Sequence, residues 1–246
     1  MSQYRQSPFA NLTPVVKNLL IINIIFAIAP YLVGKIFDMN TSLAAFYFDS
    51  PFFRPWQIVT YMFMHAPLLK EPSHLLFNMF GLFMFGPILE YSMGSKRFFN
   101  FYFICGIGAI VMQMLIQAIE VHSIMGSFVM PHPITDQSFY QYGGDIKGIN
   151  KLAEIYYAPT VGASGALFGI LVAFGLLYPN MELMIIFIPI PIKAKYLVSF
   201  YVLYEIYDSV VQRPGDHVAH LVHLGGGLLG LIMIKIWRMR RMDNFF

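Results

Sequence analysis

The sequence predicts an all-α membrane protein, a bundle of six membrane-spanning helices. Of its 246 residues, 57% are hydrophobic and only 12% are charged, and the mean hydropathy is +0.61. A soluble domain usually carries about 25% charged residues, so this chain could not cover a surface that faces water. Its apolar residues also gather into runs near the length of roughly 20 residues that crosses a bilayer as a helix. These two observations indicate a polytopic membrane protein.

Six apolar segments are predicted to span the membrane. They are Pro14–Val33, Ser73–Tyr91, Phe98–Ile119, Thr160–Leu177, Ala194–Tyr207 and His217–Trp237. Proline is common at the first position of a helix, which favours a start at Thr13-Pro14, and Tyr178-Pro179-Asn180 ends the fourth span. An extension of the fifth span over Leu183–Ile192 stays open, because Pro189 and Pro191 interrupt that stretch.

The basic residues predict that both termini face the cytoplasm. With the N-terminus inside, ten of the sixteen Lys and Arg residues lie on the inner side, mostly in short loops and tails, as the positive-inside rule requires. The six on the outer side are Lys35, Arg54, Lys70, Lys147, Lys151 and Arg213. This orientation gives a cytoplasmic tail over 1–12, a membrane domain over 13–238 and a cytoplasmic tail over 239–246. We expect a retained first span and a multi-pass protein of a bacterial inner membrane.

Two long connections lie on the outer side in this orientation. The first, Gly34–Pro72, is rich in aromatic residues such as Phe52, Phe53 and Trp56, and we expect it to lie in the membrane interface. The second, Val121–Pro159, contains Gly143-Gly144-Asp145 and is expected to be a flexible, exposed loop.

Four polar side chains lie near the outer ends of the second, fourth and sixth spans: His74, Asn78, Ser164 and His223. Polar groups at membrane depth are costly and usually mark function. At a rise of 1.5 Å per residue, the six residues that precede His223 in its span reach about 9 Å below the helix start. The four side chains can therefore share one depth, and they supply a hydroxyl, a base and two donors.

Ser164 lies in the segment Gly162-Ala163-Ser164-Gly165-Ala166-Leu167-Phe168-Gly169. The flanking glycines let another chain approach closely and leave the hydroxyl uncrowded. Ser164 also lies near a helix N-terminus, where free N–H groups can bind an anion. A nucleophile is one interpretation. Tight helix packing through small residues four apart is the other.

His223 is followed by Gly226 and Gly230, three and seven residues later, which form a glycine stripe on the face of the histidine. A helix pressed against that stripe could bring a hydroxyl within reach of the imidazole, as a nucleophile and its base require. His220 lies one turn away on nearly the same face, so the choice between the two histidines stays open here. A histidine that only bonds across helices is the alternative.

His74 and Asn78 are four residues apart and project from one face of the second span. An imidazole and an amide directed at one point suit the oxyanion of a tetrahedral intermediate. Polar contacts between helices would explain the same pair.

A metal centre, a cofactor and a nucleic-acid partner are not expected. There is no His-Glu-x-x-His pattern, no carboxylate is adjacent in sequence to His220 and His223, and the single Cys105 excludes a thiolate cluster, a redox pair and an intrachain disulfide. Glu205 is an isolated carboxyl in the fifth span with no apparent partner. A transporter or channel needs charged residues along a path across the bilayer, and only Glu205 suggests one.

On these motifs the chain resembles the rhomboid family of intramembrane serine proteases over about residues 14–237. Gly162-Ala163-Ser164-Gly165 resembles the Gly-x-Ser-Gly of the family's fourth helix, and His74–Asn78 the His-x-x-x-Asn of its second. His223 with its two glycines resembles the sixth-helix pattern, which selects His223 over His220. The resemblance implies a dyad of Ser164 and His223 without an orienting carboxylate. It also implies an oxyanion held by His74, Asn78 and the Ser164 N–H.

The resemblance implies an intramembrane endopeptidase whose partners are transmembrane-helix substrates and membrane lipid. Gly34–Pro72 would be a membrane-embedded loop, and the fifth helix would form the side where substrates enter. Gln57 stands where the family carries an arginine after Trp56, so the support of this loop is in question. Phe168 replaces a frequent tyrosine and keeps a face that can stack on the histidine. A non-catalytic relative that binds or routes membrane clients is the alternative function.

Overall fold

The computed structural model describes residues 12–34, 36–185, 188–211 and 220–241. The helices are α1 Pro14–Val33, α2 Met39–Leu43, α3 Gln57–Thr60, α4 Pro72–Met93, α5 Ser95–Met125, α6 Asp136–Tyr142, α7 Ile146–Tyr157, α8 Ser164–Leu177, α9 Ala194–Val211 and α10 His220–Ile236. A short 3₁₀ turn, Tyr61–Phe63, follows α3, and two strands, β1 Glu182–Ile185 and β2 Ile188–Lys193, form an antiparallel hairpin. The all-α membrane fold is therefore confirmed.

Six of these helices, α1, α4, α5, α8, α9 and α10, coincide with the six predicted spans. Within the described part of the chain, α1, α4 and α5 are long and apolar enough to cross a membrane, while α8 and α10 are shorter apolar helices. The number of spans therefore remains a prediction. The predicted start of the sixth span at His217 and most of both predicted tails lie outside the described residues.

Helix α8 is the centre of the bundle, in contact with α4, α5, α9 and α10. Its sequence is apolar on all sides, which is typical of a buried helix, and its glycines admit neighbours at close range. A methyl group on Gly169 would lie 2.6 Å from Cys105 Sγ of α5. The small residues of α8 thus set the distance at which the surrounding helices pack.

The first connection is fixed by Gln57, which is fully buried. Its Nε2 donates to the carbonyls of Thr41 (2.9 Å) and Phe52 (3.0 Å), and its Oε1 accepts from the Arg54 N–H (2.9 Å). The indole N–H of Trp56 donates to the Ser42 carbonyl at 2.8 Å. A neutral amide therefore braces the loop at the position where the family resemblance left its support in question.

The second connection is not the flexible loop that the sequence predicted. Helix α5 continues to Met125, and Gly144, with φ of +73°, turns the chain between α6 and α7. The carboxylate of Asp145 then caps α7 by accepting from the Gly148 N–H at 2.7 Å. These helices share a separate apolar cluster with the first connection: Tyr47, Val121, Met130, Phe139, Leu152, Ile155 and Tyr156.

The apolar stretch before the fifth span does not extend that helix. Residues 183–185 lie in β1 and residues 188–192 lie in β2, and across the pair of strands Glu182 pairs with Lys193 and Leu183 pairs with Ile192. Proline has no N–H to donate and breaks a helix interior, which explains why a helix begins only at Ala194. The predicted start of the fifth span is thereby confirmed, and its extension is excluded.

Candidate active site

Ser164 is the first residue of α8, because the backbone up to Gly162 is held away from helical geometry. Thr160 forms an isolated antiparallel bridge with Ala45, with N–H to carbonyl distances of 2.7 and 2.9 Å. Gly162 adopts φ of +122° and donates to the Tyr61 carbonyl at 3.0 Å. Helix α8 therefore begins at Ser164, after the approximate predicted start of the fourth span at Thr160, and ends at the predicted Leu177. Ser164 lies at the helix N-terminus, where backbone N–H groups have no intrahelical partner.

Helices α8 and α10 touch through their glycines immediately after Ser164. A methyl group on Gly226 would lie 1.8 Å from the Gly165 carbonyl oxygen, and one on Gly230 would lie 2.7 Å from the Gly169 carbonyl oxygen. Such distances leave no room for a Cβ on α10. The predicted function of the glycine stripe, a surface for close helix contact, is confirmed.

The His223 ring packs against α8 one turn after Ser164. It is stacked on Phe168, with ring centroids 5.8 Å apart and an interplanar angle of 11°, and Phe168 in turn contacts Tyr201 of α9. The predicted stacking face of Phe168 is confirmed. Within the described residues no hydrogen bond joins the Ser164 hydroxyl to this ring. Catalytic hydrogen bonds are often long before substrate binds.

The carboxylate of Glu205 lies between the two histidines of α10. Its Oε2 is 2.7 Å from Nδ1 of His220 and 3.0 Å from Nδ1 of His223. The interpretation of Glu205 as a group without a partner is therefore wrong, and the histidine pair, which has no carboxylate adjacent in sequence, has one adjacent in space. Neither was visible in the sequence, because α9 and α10 meet only in the fold. These three residues also form the cluster in which a metal ion could be held.

His74 presents a ring proton to the space beside Ser164. Its Nδ1 accepts a hydrogen bond from the Ala66 N–H at 3.2 Å, so Nε2 must carry the proton of the neutral ring. A Cβ built on Gly162 would lie 2.8 Å from this Nε2 and 3.7 Å from Ser164 Oγ. The ring N–H and the hydroxyl therefore line one small space that a side chain at position 162 would fill.

Asn78 lies one turn below His74, and its amide is buried. Its Nδ2 donates to the His74 carbonyl at 2.7 Å, while its Oδ1 has no partner. One of its two amide hydrogens is therefore used within α4.

His65 closes the other side of His74, with ring centroids 5.3 Å apart. Burial and the neighbouring His74 lower the pKa of His65 to about 4, so its ring is neutral at physiological pH. The sequence offered no signal for this contact, because His65 lies in the irregular chain before α4.

Comparison with known proteins identifies the family of the chain. The model of the Rhomboid domain family matches residues 53–240. A similar protein is "Rhomboid protein 1, mitochondrial" of Saccharomyces cerevisiae, 27% identical over 166 residues. That match covers 66% of this chain but only 37% of the length of the yeast protein.

Proposed function

Because the chain belongs to the rhomboid family of membrane proteins, we propose that it is an intramembrane serine endopeptidase that cleaves transmembrane segments of other membrane proteins. Ser164 is the nucleophile and His223 is its base. The observation that carries the proposal is the contact of α8 with α10 at Gly165 and Gly226, since it supports a close approach of hydroxyl and imidazole.

In the first step, His223 Nε2 takes the proton of Ser164 Oγ while that oxygen attacks the scissile carbonyl carbon. The carbonyl electron pair moves to oxygen and creates an oxyanion. The Ser164 N–H at the start of α8, the Nε2–H of His74 and the free amide hydrogen of Asn78 stabilise that charge. Donors fixed in a site of low dielectric are worth far more than donors in water.

In the second step, the His223 imidazolium gives its proton to the leaving nitrogen, and the C–N bond breaks. A water molecule then attacks the acyl ester on Ser164. His223 takes a proton from that water and returns one to Ser164 Oγ as the product carboxyl group leaves. The enzyme is thereby restored with no net change of charge.

Substrate helices with small or helix-breaking residues near the scissile bond suit this site. A regular helix resists attack because its carbonyls are hydrogen-bonded and covered by side chains. With both termini in the cytoplasm, as the basic residues favour, cleavage occurs near the outer ends of substrate helices. A bacterial inner membrane remains our proposed location, although the relative found is a mitochondrial protein.

The test is cleavage of a model single-span substrate in detergent by the parent protein and by the Ser164→Ala and His223→Ala variants. Ser123→Ala, an exposed serine of α5, is the matched control. We expect cleavage and fluorophosphonate labelling of the parent and the control, and neither from the two site variants. A parent that binds the substrate but is never labelled would be a non-catalytic client-binding protein. Cleavage by Ser164→Ala would refute the mechanism.

A further inference from the structure

We propose that Glu205 is a positioning residue for His223: its carboxylate holds the Nδ1 proton of that ring, so that Nε2 remains free to accept the proton of Ser164. This inference rests on the proposed function. It adds a carboxylate from α9 to a site that the sequence motifs describe only by a serine and a histidine.

The burial of Glu205 is the first argument. Its side chain is 2% exposed, and a carboxylate away from water is stable only when it is paired and hydrogen-bonded. Two Nδ1 atoms lie within 3.0 Å of one oxygen, Oε2. An ionised carboxylate is an acceptor only, so the His220 ring that is hydrogen-bonded to it must present a proton at Nδ1. We infer the same proton position for His223, whose Nδ1 lies 3.0 Å from the same oxygen. A neutral ring protonated at Nδ1 has an unprotonated Nε2, which is the form that a general base requires.

The distances favour hydrogen bonds over a metal centre. Zinc is bound by nitrogen and carboxylate oxygen at about 2.0–2.2 Å in a tetrahedron, which sets neighbouring ligand atoms about 3.3 Å apart. The distances from Oε2 to the Nδ1 atoms of His220 and His223 are 2.7 and 3.0 Å. Both are shorter than that spacing and lie in the range of N–H···O bonds, about 2.7–3.2 Å.

The two histidines use the carboxylate differently. His220 makes the well-aligned hydrogen bond, whereas the His223 Nδ1 lies close to Oε2 but is not aligned with it as a donor. His220 therefore fixes the carboxylate in place beside His223. When His223 takes up the serine proton, its interaction with Glu205 becomes charge-assisted and strengthens. The stabilisation that this contact provides is therefore greatest while the oxyanion exists.

The experiment measures kcat and KM of Glu205→Gln, Glu205→Asp and His220→Gln on the single-span substrate, with the unfolding midpoint of each variant. Glu154→Gln, an exposed glutamate of α7, is the matched control. We expect Glu205→Gln to lower kcat by roughly 10²–10⁴-fold, as loss of an orienting carboxylate does in a serine protease. We expect KM to stay unchanged, because the Glu205 side chain is buried within the bundle, at 2% exposure. Glu205→Asp restores part of the rate, and His220→Gln costs less than about tenfold, the loss of one hydrogen bond.

Three results would overturn the proposal while the parent still cleaves. The first is a Glu205→Gln variant that keeps the parental kcat. The second is a Glu205→Gln variant whose activity falls only in proportion to the loss of folded protein, together with a Glu205→Asp variant that restores none of it. The third is loss of parental activity after dialysis against a chelator and its return with zinc. A parent that fails to cleave would instead remove the proposed function, so the two failures are distinguishable.

Discussion

Replacing Gly226 with alanine tests the helix contact on which the site depends. The added methyl would lie 1.8 Å from the Gly165 carbonyl oxygen and 2.6 Å from its carbon. Ordinary van der Waals contact begins at 3.4 Å, so α10 must move away from α8 by the difference, about 1.6 Å. A displacement of about 1 Å in a catalytic group costs roughly 100-fold in rate. We therefore expect kcat/KM to fall by at least roughly 100-fold.

The assay combines cleavage of the single-span substrate in detergent with thermal unfolding of the same samples. Overpacking of a close contact typically destabilises a protein by about 1–3 kcal/mol, so the unfolding midpoint should fall as well. Gly81→Ala is the matched control, because a methyl at Gly81 of α4 would meet only the Leu167 side chain, at 3.9 Å. This variant should keep the parental rate, and alanine is the better helix former by up to about 1 kcal/mol.

The two measurements separate displacement of the histidine from loss of folded protein. If Gly226→Ala cleaved at the parental rate and unfolded at the parental temperature, α8 and α10 could not be in contact at this point. The approach of Ser164 and His223 would then have no structural basis, and the proposed mechanism would be refuted.

Three further variants test the surroundings of the site. Gln57→Ala leaves the Thr41 and Phe52 carbonyls unpaired, at about 1–3 kcal/mol for each buried group, and should lower the unfolding midpoint measured in detergent. Gly162→Ala forces a side chain into φ of +122° and its methyl to 2.8 Å from His74 Nε2, and should abolish fluorophosphonate labelling. For His65 the folded pKa is about 4 against an ordinary value of 6.5, so the unfolded chain binds more protons between those values. The free energy of unfolding should therefore fall as pH drops from 6.5 toward 4, by about 2 kcal/mol at pH 5. Unfolding measured at pH 7 and pH 5 should show this loss in the parent protein, and a His65→Gln variant should not show it.

The features that the sequence predicted well depend on local patterns. Helix α1 has the predicted bounds Pro14–Val33, because a proline at the first position and a predominantly apolar run both mark the helix. The stripe of Gly226 and Gly230 predicted a close contact because residues three and four apart share one helix face. The stacking of Phe168 on His223 was implied by the family resemblance, since Phe168 stands at the position of a frequent tyrosine.

The features that it missed depend on how separate elements meet. Glu205 finds its partners only through the rotation of α9 against α10, which no spacing within either helix specifies. The second connection was misread because Gly143-Gly144-Asp145 looked like a flexible loop, whereas Asp145 is the cap of α7. The signal was present: Ile149, Leu152 and Tyr156 recur at helical spacing on either side of polar residues.

The polar side chains of the candidate site are held by further partners in the fold. Ala66 sets the proton position of His74, and His220 with Glu205 supports the corresponding choice for His223. In both cases a neighbouring group determines which ring nitrogen carries the proton and which does not. Where water is scarce, a misplaced ring proton cannot be exchanged with solvent quickly. The proposed mechanism therefore needs the ring tautomers to be fixed by the fold, and the Glu205 carboxylate would meet this need for His223.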